Sequence, residues 1–295
     1  MSEERHEMKT VCVTGASRGL GRSVAELFLN SGWRVAMVAR DEKRLDSAAD
    51  ALCRNCNRER SDVVVMALDL SRRDSARRCF DELKKSWRKL DALVNNAGIQ
   101  GPIGRFCDNN RDEWENAFET LLFAPLDMCR EAILWMSESG GGDIVNLSGG
   151  GAASPRENFS AYAAAKTALV RVTEILALEY AESGIAVNAV APGAMPTDML
   201  SSVIEAGLDA AGKPEYTAAR RAFEGGGHDA LYRAARCVYA LCNQSPPKVT
   251  GRLVSAVWDP WENLKNRAET IARGDIYTLR RVTPQDRGES WGDEA

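Results

Sequence analysis

The chain has 295 residues, 44% of them apolar and 27% charged, which excludes a mainly disordered polymer and leaves ample material for a core. With 38 basic and 42 acidic residues the formal net charge is −4 and no basic block stands out, so nucleic acid is not an expected partner. No stretch approaches the roughly 18 apolar residues of a membrane span, and the polar residues 1–10 lack the apolar segment of a secretion signal, so neither feature is expected.

The first predicted strand, Thr10–Thr14, is β-rich and runs into Gly15. Gly19 and Gly21 follow, and residues 22–31 place Val24, Ala25, Leu27 and Phe28 at helical spacing. This reads as strand, glycine turn, helix. Gly32 ends the helix, and residues 33–39 form a second buried strand. Residues 41–57 are a polar helix, 63–68 a third strand, 71–87 a helix and Ala92–Asn95 a fourth strand. Residues 111–137 are long enough for one helix, with a kink expected at Pro125. A fifth strand (143–147), a second long helix (160–183), a sixth strand (Ile185–Ala191), a helix (231–243) and a last strand (253–257) complete the alternation. Residues 197–227 are a long insertion. Residues 259–295, with Trp261, Tyr277 and Trp291, are expected to be a solvated, charged tail, the alternative being that Tyr277–Arg281 packs across the substrate cleft or on a neighbouring subunit.

Strands that alternate with helices need crossover connections, and strands that are apolar throughout need cover on both faces. The expected fold is α/β, a doubly wound parallel sheet of Rossmann type in a single domain. Residues 1–258 would form that domain, with 198–230 as a substrate lid and 259–295 as a C-terminal extension. The eight cysteines are scattered, which suits reduced thiols and a cytoplasmic location better than disulfides. Cys53 and Cys56 form one isolated CxxC, and His6 and His228 are the only histidines, so two thiols on a helix surface are expected rather than a metal site.

Glycines between a strand and a helix let the backbone approach a diphosphate, and the helix N-terminus favours its charge. The spacing here is Thr14, Gly15, Gly19, Gly21. The other motifs are Asn95, Asn96, Ala97 and Gly98 after the fourth strand, Tyr162 with Lys166 on the second long helix, and Pro192 with Gly193 after the sixth strand. Together and in this order they resemble the short-chain dehydrogenase/reductase family, from about Lys9 to Val257. The resemblance implies a dinucleotide held by Gly15, Ser17, Arg18, Gly19, Leu20, Gly21, Arg40, Asp69, Leu70, Asn95, Ala97, Gly98, Tyr162, Lys166, Pro192, Gly193 and Thr197. Within that set, Asp69 and Leu70 would meet the adenine and Thr197 a phosphate.

Arg18 and Arg40 lie where the adenosine ribose would sit, and guanidiniums suit a 2′-phosphate, so NADP(H) is preferred. NAD remains possible if Asp41 bonds the ribose instead.

Tyr162 and Lys166 are four apart on one helix face. A neighbouring ammonium favours the phenolate and lowers its pKa. Tyr162 is therefore the expected general acid/base for interconverting a ketone and a secondary alcohol, with Lys166 beside it. The family also has a serine thirteen positions before the tyrosine, and that position is Gly149 here. Two arrangements are open. A longer loop brings Ser148 into register as the third catalytic residue, or Gly149 leaves a gap that backbone N–H groups of Gly149, Gly150 and Gly151 partly fill. Leu121 stands at the position of the family's relay asparagine, which leaves only its backbone carbonyl to serve.

In the lid, Met199, Leu200, Val203, Ile204 and Leu208 either pack on the core or meet substrate, with Lys213, Arg220 and Arg221 beyond them and a hinge at Gly225, Gly226 and Gly227. Arg280 and Arg281 are candidates for an anionic substrate group. The expected partner is a small carbonyl or alcohol, and the two long helices would join a homodimer or homotetramer. Two other readings stand beside the reductase: a non-catalytic dinucleotide-binding sensor or scaffold, and an epimerase or dehydratase that recycles its cofactor.

Overall fold

The computed structural model describes residues 8–225 and 228–290. Seven parallel strands form one sheet in the order β3-β2-β1-β4-β5-β6-β7. They are β1 (Thr10–Thr14), β2 (Arg34–Ala39), β3 (Val63–Ala67), β4 (Ala92–Asn95), β5 (Gly142–Leu147), β6 (Ile185–Ala191) and β7 (Leu253–Ser255).

Helices cover both faces, as the apolar strands require. Alternation along each strand divides one apolar run between two cores. Val11, Val13, Val35, Met37, Val94 and Val145 face α1 (Gly19–Asn30), α2 (Glu42–Cys56) and α9 (His228–Cys242). Cys12, Ala36, Val38, Leu93, Ile144 and Val187 face α3 (Ser75–Lys84) and α5 (Ala124–Glu138). The chain reverses direction across the sheet between β1 and β4, which opens a crevice at the strands' C-terminal edge.

The helix predicted over 111–137 is interrupted. It resolves into α4 (Arg111–Phe118), a π-helical turn at Glu119–Phe123, and α5. Pro125 sits in the first turn of α5 and has no N–H, so the Leu121 carbonyl loses its α-register donor.

The insertion before the last helix forms α7 (Asp198–Ala211) and α8 (Lys213–Glu224). Positive φ falls at Gly207 (82°) inside α7 and at Gly212 (79°) between the two helices. Gly226 and Gly227 of the expected hinge lie outside the described residues. Val203, Ala211 and Ala219 join a third core with Leu121, Phe159 and Tyr162. The apolar residues of this insertion therefore pack down on α4 and on α6 (Ser160–Glu179), while Leu208 stays exposed.

The expectation of a solvated tail is corrected. Trp261, Leu264, Ala268 and Ile271 are buried in the core that α9 covers, at a helical spacing that was readable in the chain. Each large apolar side chain so buried contributes about 1.5–3 kcal/mol. Trp261 donates its indole N–H to the Ala256 carbonyl at 3.2 Å, and the Leu253 amide donates to the Tyr277 carbonyl at 2.8 Å. Trp291 lies outside the described residues. Cys53 is buried within α2 rather than on its surface, and Cys56 is half-buried.

Candidate active site

The glycine turn is held by backbone proximity. Gly15 has φ +65°, and a Cβ there would come within 2.8 Å of Asn96 Nδ2 and 2.9 Å of Ala97 Cα. A Cβ on Gly21 would lie 2.3 Å from the Gly15 carbonyl oxygen. Asn96 donates its side-chain amide to the carbonyls of Thr14 (2.9 Å) and Gly15 (3.3 Å), while Thr14 Oγ1 accepts from the amides of Asn96 (2.9 Å) and Ala97 (3.0 Å). The β1 and β4 loops are thus stitched together by Asn96, a residue that sequence reasoning passed over in favour of Asn95.

Strand alternation separates the pair. Asn95 turns into the layer beneath α5, donating to Asn146 Oδ1 (2.9 Å) and to the Pro125 carbonyl (3.3 Å). Asn146 in turn donates to Thr173 on α6 at 2.9 Å. Asn95 therefore braces β4, β5 and α6, and the expectation of a cofactor contact from its side chain is corrected.

The N-terminus of α1 offers anion-binding groups. Arg18 stands at its N-cap with no side-chain capping bond, Ser17 precedes it, and the first turn from Gly19 and Leu20 holds no acid. The first-turn amides and the helix dipole thus lack a capping side chain or an acid. Burial lowers the Arg18 pKa, and the nearby charges of Arg44 and Arg40 lower it further. Asp198, at the start of α7, pairs with Arg18 and lies 3.9 Å from Arg44. Asp41 caps α2 by accepting from the Arg44 amide at 3.0 Å, which commits its carboxylate to the helix. Asp69 accepts from the hydroxyl (2.8 Å) and amide (3.1 Å) of Ser71. Those bonds hold its carboxyl below the usual range, the hydroxyl contributing most. Leu70 packs half-buried beside it.

The other wall comes from β6, α7 and α4. Gly193 has φ +87°, and a Cβ there would meet Val257 Cγ2 at 2.4 Å, so the turn after Pro192 closes tightly on the end of the sheet. Thr197 stands at the N-cap of α7 without a side-chain capping bond, and its methyl lies 3.2 Å from where a Gly19 Cβ would stand. Leu121 Cδ2 and Met199 Cε lie 3.2 and 3.4 Å from a Cβ built on Gly98, so apolar groups cover that glycine.

Tyr162 and Lys166 are both buried, 6% and 4% exposed. Lys166 Nζ donates to the Leu147 carbonyl at 2.6 Å and lies 6.0 Å from the centre of the phenol ring. Burial pulls the Lys166 amine down to about 8. Burial pushes the Tyr162 phenol up, and the opposing influence is the Arg156 charge. The expectation that Lys166 lowers the phenol's pKa is therefore corrected: desolvation dominates, and the nearer cation in effect is Arg156.

Gly149 lies against the phenol. A Cβ there would stand 2.2 Å from the Tyr162 oxygen and 3.1 Å from its Cζ. The phenol fills the space a side chain at 149 would need. Ser148 continues the β5 ladder, donating its amide to the Val190 carbonyl at 2.8 Å, and its buried hydroxyl has no hydrogen-bond partner among the described residues. The structure thus brings Tyr162, Lys166 and Gly149 together, with Ser148 adjacent but not bonded to the phenol.

Of the basic residues expected at the substrate end, Arg280 is engaged with Asp275 and Asp286, and Arg220 with Glu224. Neither is directed at the phenol. Arg156 holds that position instead.

A family model for short chain dehydrogenases matches residues 9–207. The chain is 34% identical over 266 residues to Protein FixR of Bradyrhizobium diazoefficiens, covering 84% of this chain and 85% of that one. It is 33% identical over 199 residues to the 3-oxoacyl-[acyl-carrier-protein] reductase of Homo sapiens, covering 67% of this chain and 81% of that one. Among solved structures, a single-site variant of actinorhodin polyketide ketoreductase with NADPH superposes with a TM-score of 0.75 at 26% identity, over 88% of this chain and 98% of that one. With its glycine turn, its buried Tyr162 and Lys166 and a family match over most of its length, this chain belongs to the short-chain dehydrogenase/reductase family of oxidoreductases.

Proposed function

We propose that the protein is an NADP(H)-dependent ketoreductase that interconverts a ketone and a secondary alcohol. The observation that carries this reading is the pair of buried groups on α6, Tyr162 and Lys166, at the C-terminal end of β5. The cradle fits a dinucleotide phosphate: uncapped amides at the start of α1, glycines that no Cβ could replace, and Arg18, Arg40 and Arg44 clustered beside them. The commitment of Asp41 to capping α2 supports a 2′-phosphate over a bare ribose hydroxyl. The NADPH in the actinorhodin ketoreductase structure points the same way.

In this reading Gly15, Ser17, Gly19, Leu20 and Gly21 take the diphosphate with Thr197, and Arg18 and Arg40 take the 2′-phosphate. Asp69 and Leu70 meet the adenine. Ala97, Gly98, Pro192 and Gly193 wall the nicotinamide. Bound NADPH supplies the hydride. Tyr162 gives its proton to the carbonyl oxygen as that oxygen gains charge. A phenol is protonated at neutral pH, as a proton donor must be, and burial favours that form further. Lys166, held by the Leu147 carbonyl, offsets the negative charge left on the phenol. With Gly149 lacking a hydroxyl, the donors left for the substrate oxygen are the buried, unpartnered Ser148 hydroxyl and the backbone amides of residues 149–151.

Exposed Phe123, Leu134, Ile175 and Leu178 on the π turn, α5 and α6 support self-association through these helices. Analytical ultracentrifugation of Leu178→Glu against wild type tests this.

The decisive experiment is a ketone panel with NADPH. Tyr162→Phe is expected to lose about 10²–10⁴-fold in turnover while still binding NADPH. NADPH binding without turnover of any ketone would leave a dinucleotide-binding protein without this activity.

A further inference from the structure

The β5–α6 loop carries a single cation, Arg156, and the structure buries it beside the phenol. Its side chain is 13% exposed. Its guanidinium stacks 3.8 Å from the centre of the Phe159 ring and stands 5.5 Å from that of Tyr162. The three glycines make this possible. A Cβ on Gly149 would strike the phenol oxygen, and one on Gly151 would lie 3.2 Å from Arg156 Cβ. A Cβ on Gly150 would reach Arg156 Cδ at 3.9 Å. Residues 149–151 project no side chain into the strip that phenol and guanidinium share.

A buried guanidinium is costly without an anion. Among the described residues the Arg156 guanidinium has one hydrogen-bond partner, Glu215 Oε2 at 2.7 Å. Glu215 lies on α8, in the lid, and not on the sheet or α6. It is 32% exposed, and it engages one of the five guanidinium N–H donors. The lid meets the loop beneath a bend built from Gly207 and Gly212. The counter-ion therefore sits on a different element from the loop that carries Arg156, while Arg156 itself stacks on Phe159.

We propose that Arg156 is the anion-recognising group of the substrate pocket, that the substrate is a 2-oxo or 3-oxo carboxylate, and that Glu215 is the exchangeable counter-ion its carboxylate displaces. This rests on the ketoreductase reading of Tyr162. The class follows from shared surroundings: Arg156 Cζ lies 5.5 Å from the centre of the phenol ring, so a carboxylate held by the guanidinium stands beside the ring whose hydroxyl meets the carbonyl, which suits a short oxo acid. Arg156 is then a specificity residue. Its charge also opposes the burial that raises the Tyr162 pKa, so it couples recognition to the proton donor.

The test uses the full chain with NADPH and a matched pair, 2-oxo-4-phenylbutanoate and its ethyl ester, in wild type, Arg156→Met, Arg156→Lys and Glu215→Gln. Binding of the non-reducible acid 4-phenylbutanoate is followed by calorimetry with NADP⁺ present. We expect wild type to favour the acid. Arg156→Met should lower the acid-to-ester ratio of kcat/KM, and the affinity for 4-phenylbutanoate, by about tenfold or more. Arg156→Lys should recover part of both, and Glu215→Gln should raise both. An acid-to-ester ratio unchanged in every variant overturns the inference and leaves the ketoreductase intact. Equal loss on acid and ester in Glu215→Gln also overturns it, marking the ion pair as a lid latch only. Arginine-dependent binding of 4-phenylbutanoate with no NADPH consumption upholds the anion site and removes the reductase. Absence of both binding and turnover overturns both. Should Arg156→Met fail to fold, Arg156→Lys and Glu215→Gln decide.

Discussion

On the β1–α1 side of the cleft the backbone does the positioning. Gly15 and Gly21 lie so close to Asn96, Ala97 and each other that no side chain fits, and Asn96 ties the two loops through carbonyls. On the β5–α6 side, side chains from separate elements converge. Tyr162 and Lys166 come from α6, Leu121 from the π turn, Met199 from α7 and Glu215 from α8. A wall made of backbone tolerates almost no change but binds a phosphate whatever substrate follows. A wall made of side chains can be altered one residue at a time, and here glycine stands at 149 and leucine at 121 in place of the family's serine and asparagine.

Substitution at Gly21 should have the largest effect in the cofactor half. Gly21→Ala places a methyl 2.3 Å from a backbone carbonyl that has no room to yield. We expect a loss of about 1–3 kcal/mol in stability together with NADPH binding, read by thermal melts with and without NADPH. Retained binding would show that the turn is not held by contact.

Gly149→Ser restores the hydroxyl common in the family, yet its Cβ would stand 2.2 Å from the Tyr162 oxygen. The phenol must move, so turnover should fall about tenfold or more at unchanged NADPH affinity. Increased turnover would mean that the phenol has another position and the hydroxyl is simply missing. In the arginine cluster, Arg18→Ala should raise KM for NADPH by about tenfold with little change for NADH, which steady-state kinetics with both cofactors would measure. It also removes the partner of Asp198, so a parallel rise for NADH would point to a lid effect instead.

The smallest expected effect is on pH dependence. Burial lowers the Lys166 pKa to about 8 and raises that of Tyr162. Ketone reduction should be flat at lower pH and decline as pH rises through about 8, where the ammonium is lost. The sign for stability is opposite. Folding disfavours the charged lysine, so its cost is fully present below about 8 and is relieved as pH climbs toward the ordinary value of 10.5. A pH–rate profile and a pH series of melts separate the two, and Lys166→Met should flatten the stability slope.

Much of the cofactor half could be read in the chain because its residues are close in sequence. A strand, three glycines and a helix start define the phosphate cradle within residues 10–30, and β/α alternation with apolar strands implies the doubly wound sheet. Period-two alternation even held the correction to Asn95: neighbouring residues on a strand point to opposite faces, so only Asn96 could reach the glycine turn. The tail residues Trp261, Leu264, Ala268 and Ile271 likewise carried a helical spacing beneath a charged composition.

The amino-acid sequence by itself determined the order of elements, the phosphate turn and the Tyr162 and Lys166 pair, since each rests on local spacing. Only the tertiary structure decided that Gly149 makes room for the phenol, that Lys166 binds the Leu147 carbonyl, and that Arg156 meets Glu215. Those contacts join elements far apart along the chain. They act through burial, which reverses the expected pKa shift of Tyr162, and burial is a property of the packed whole that no local pattern contains.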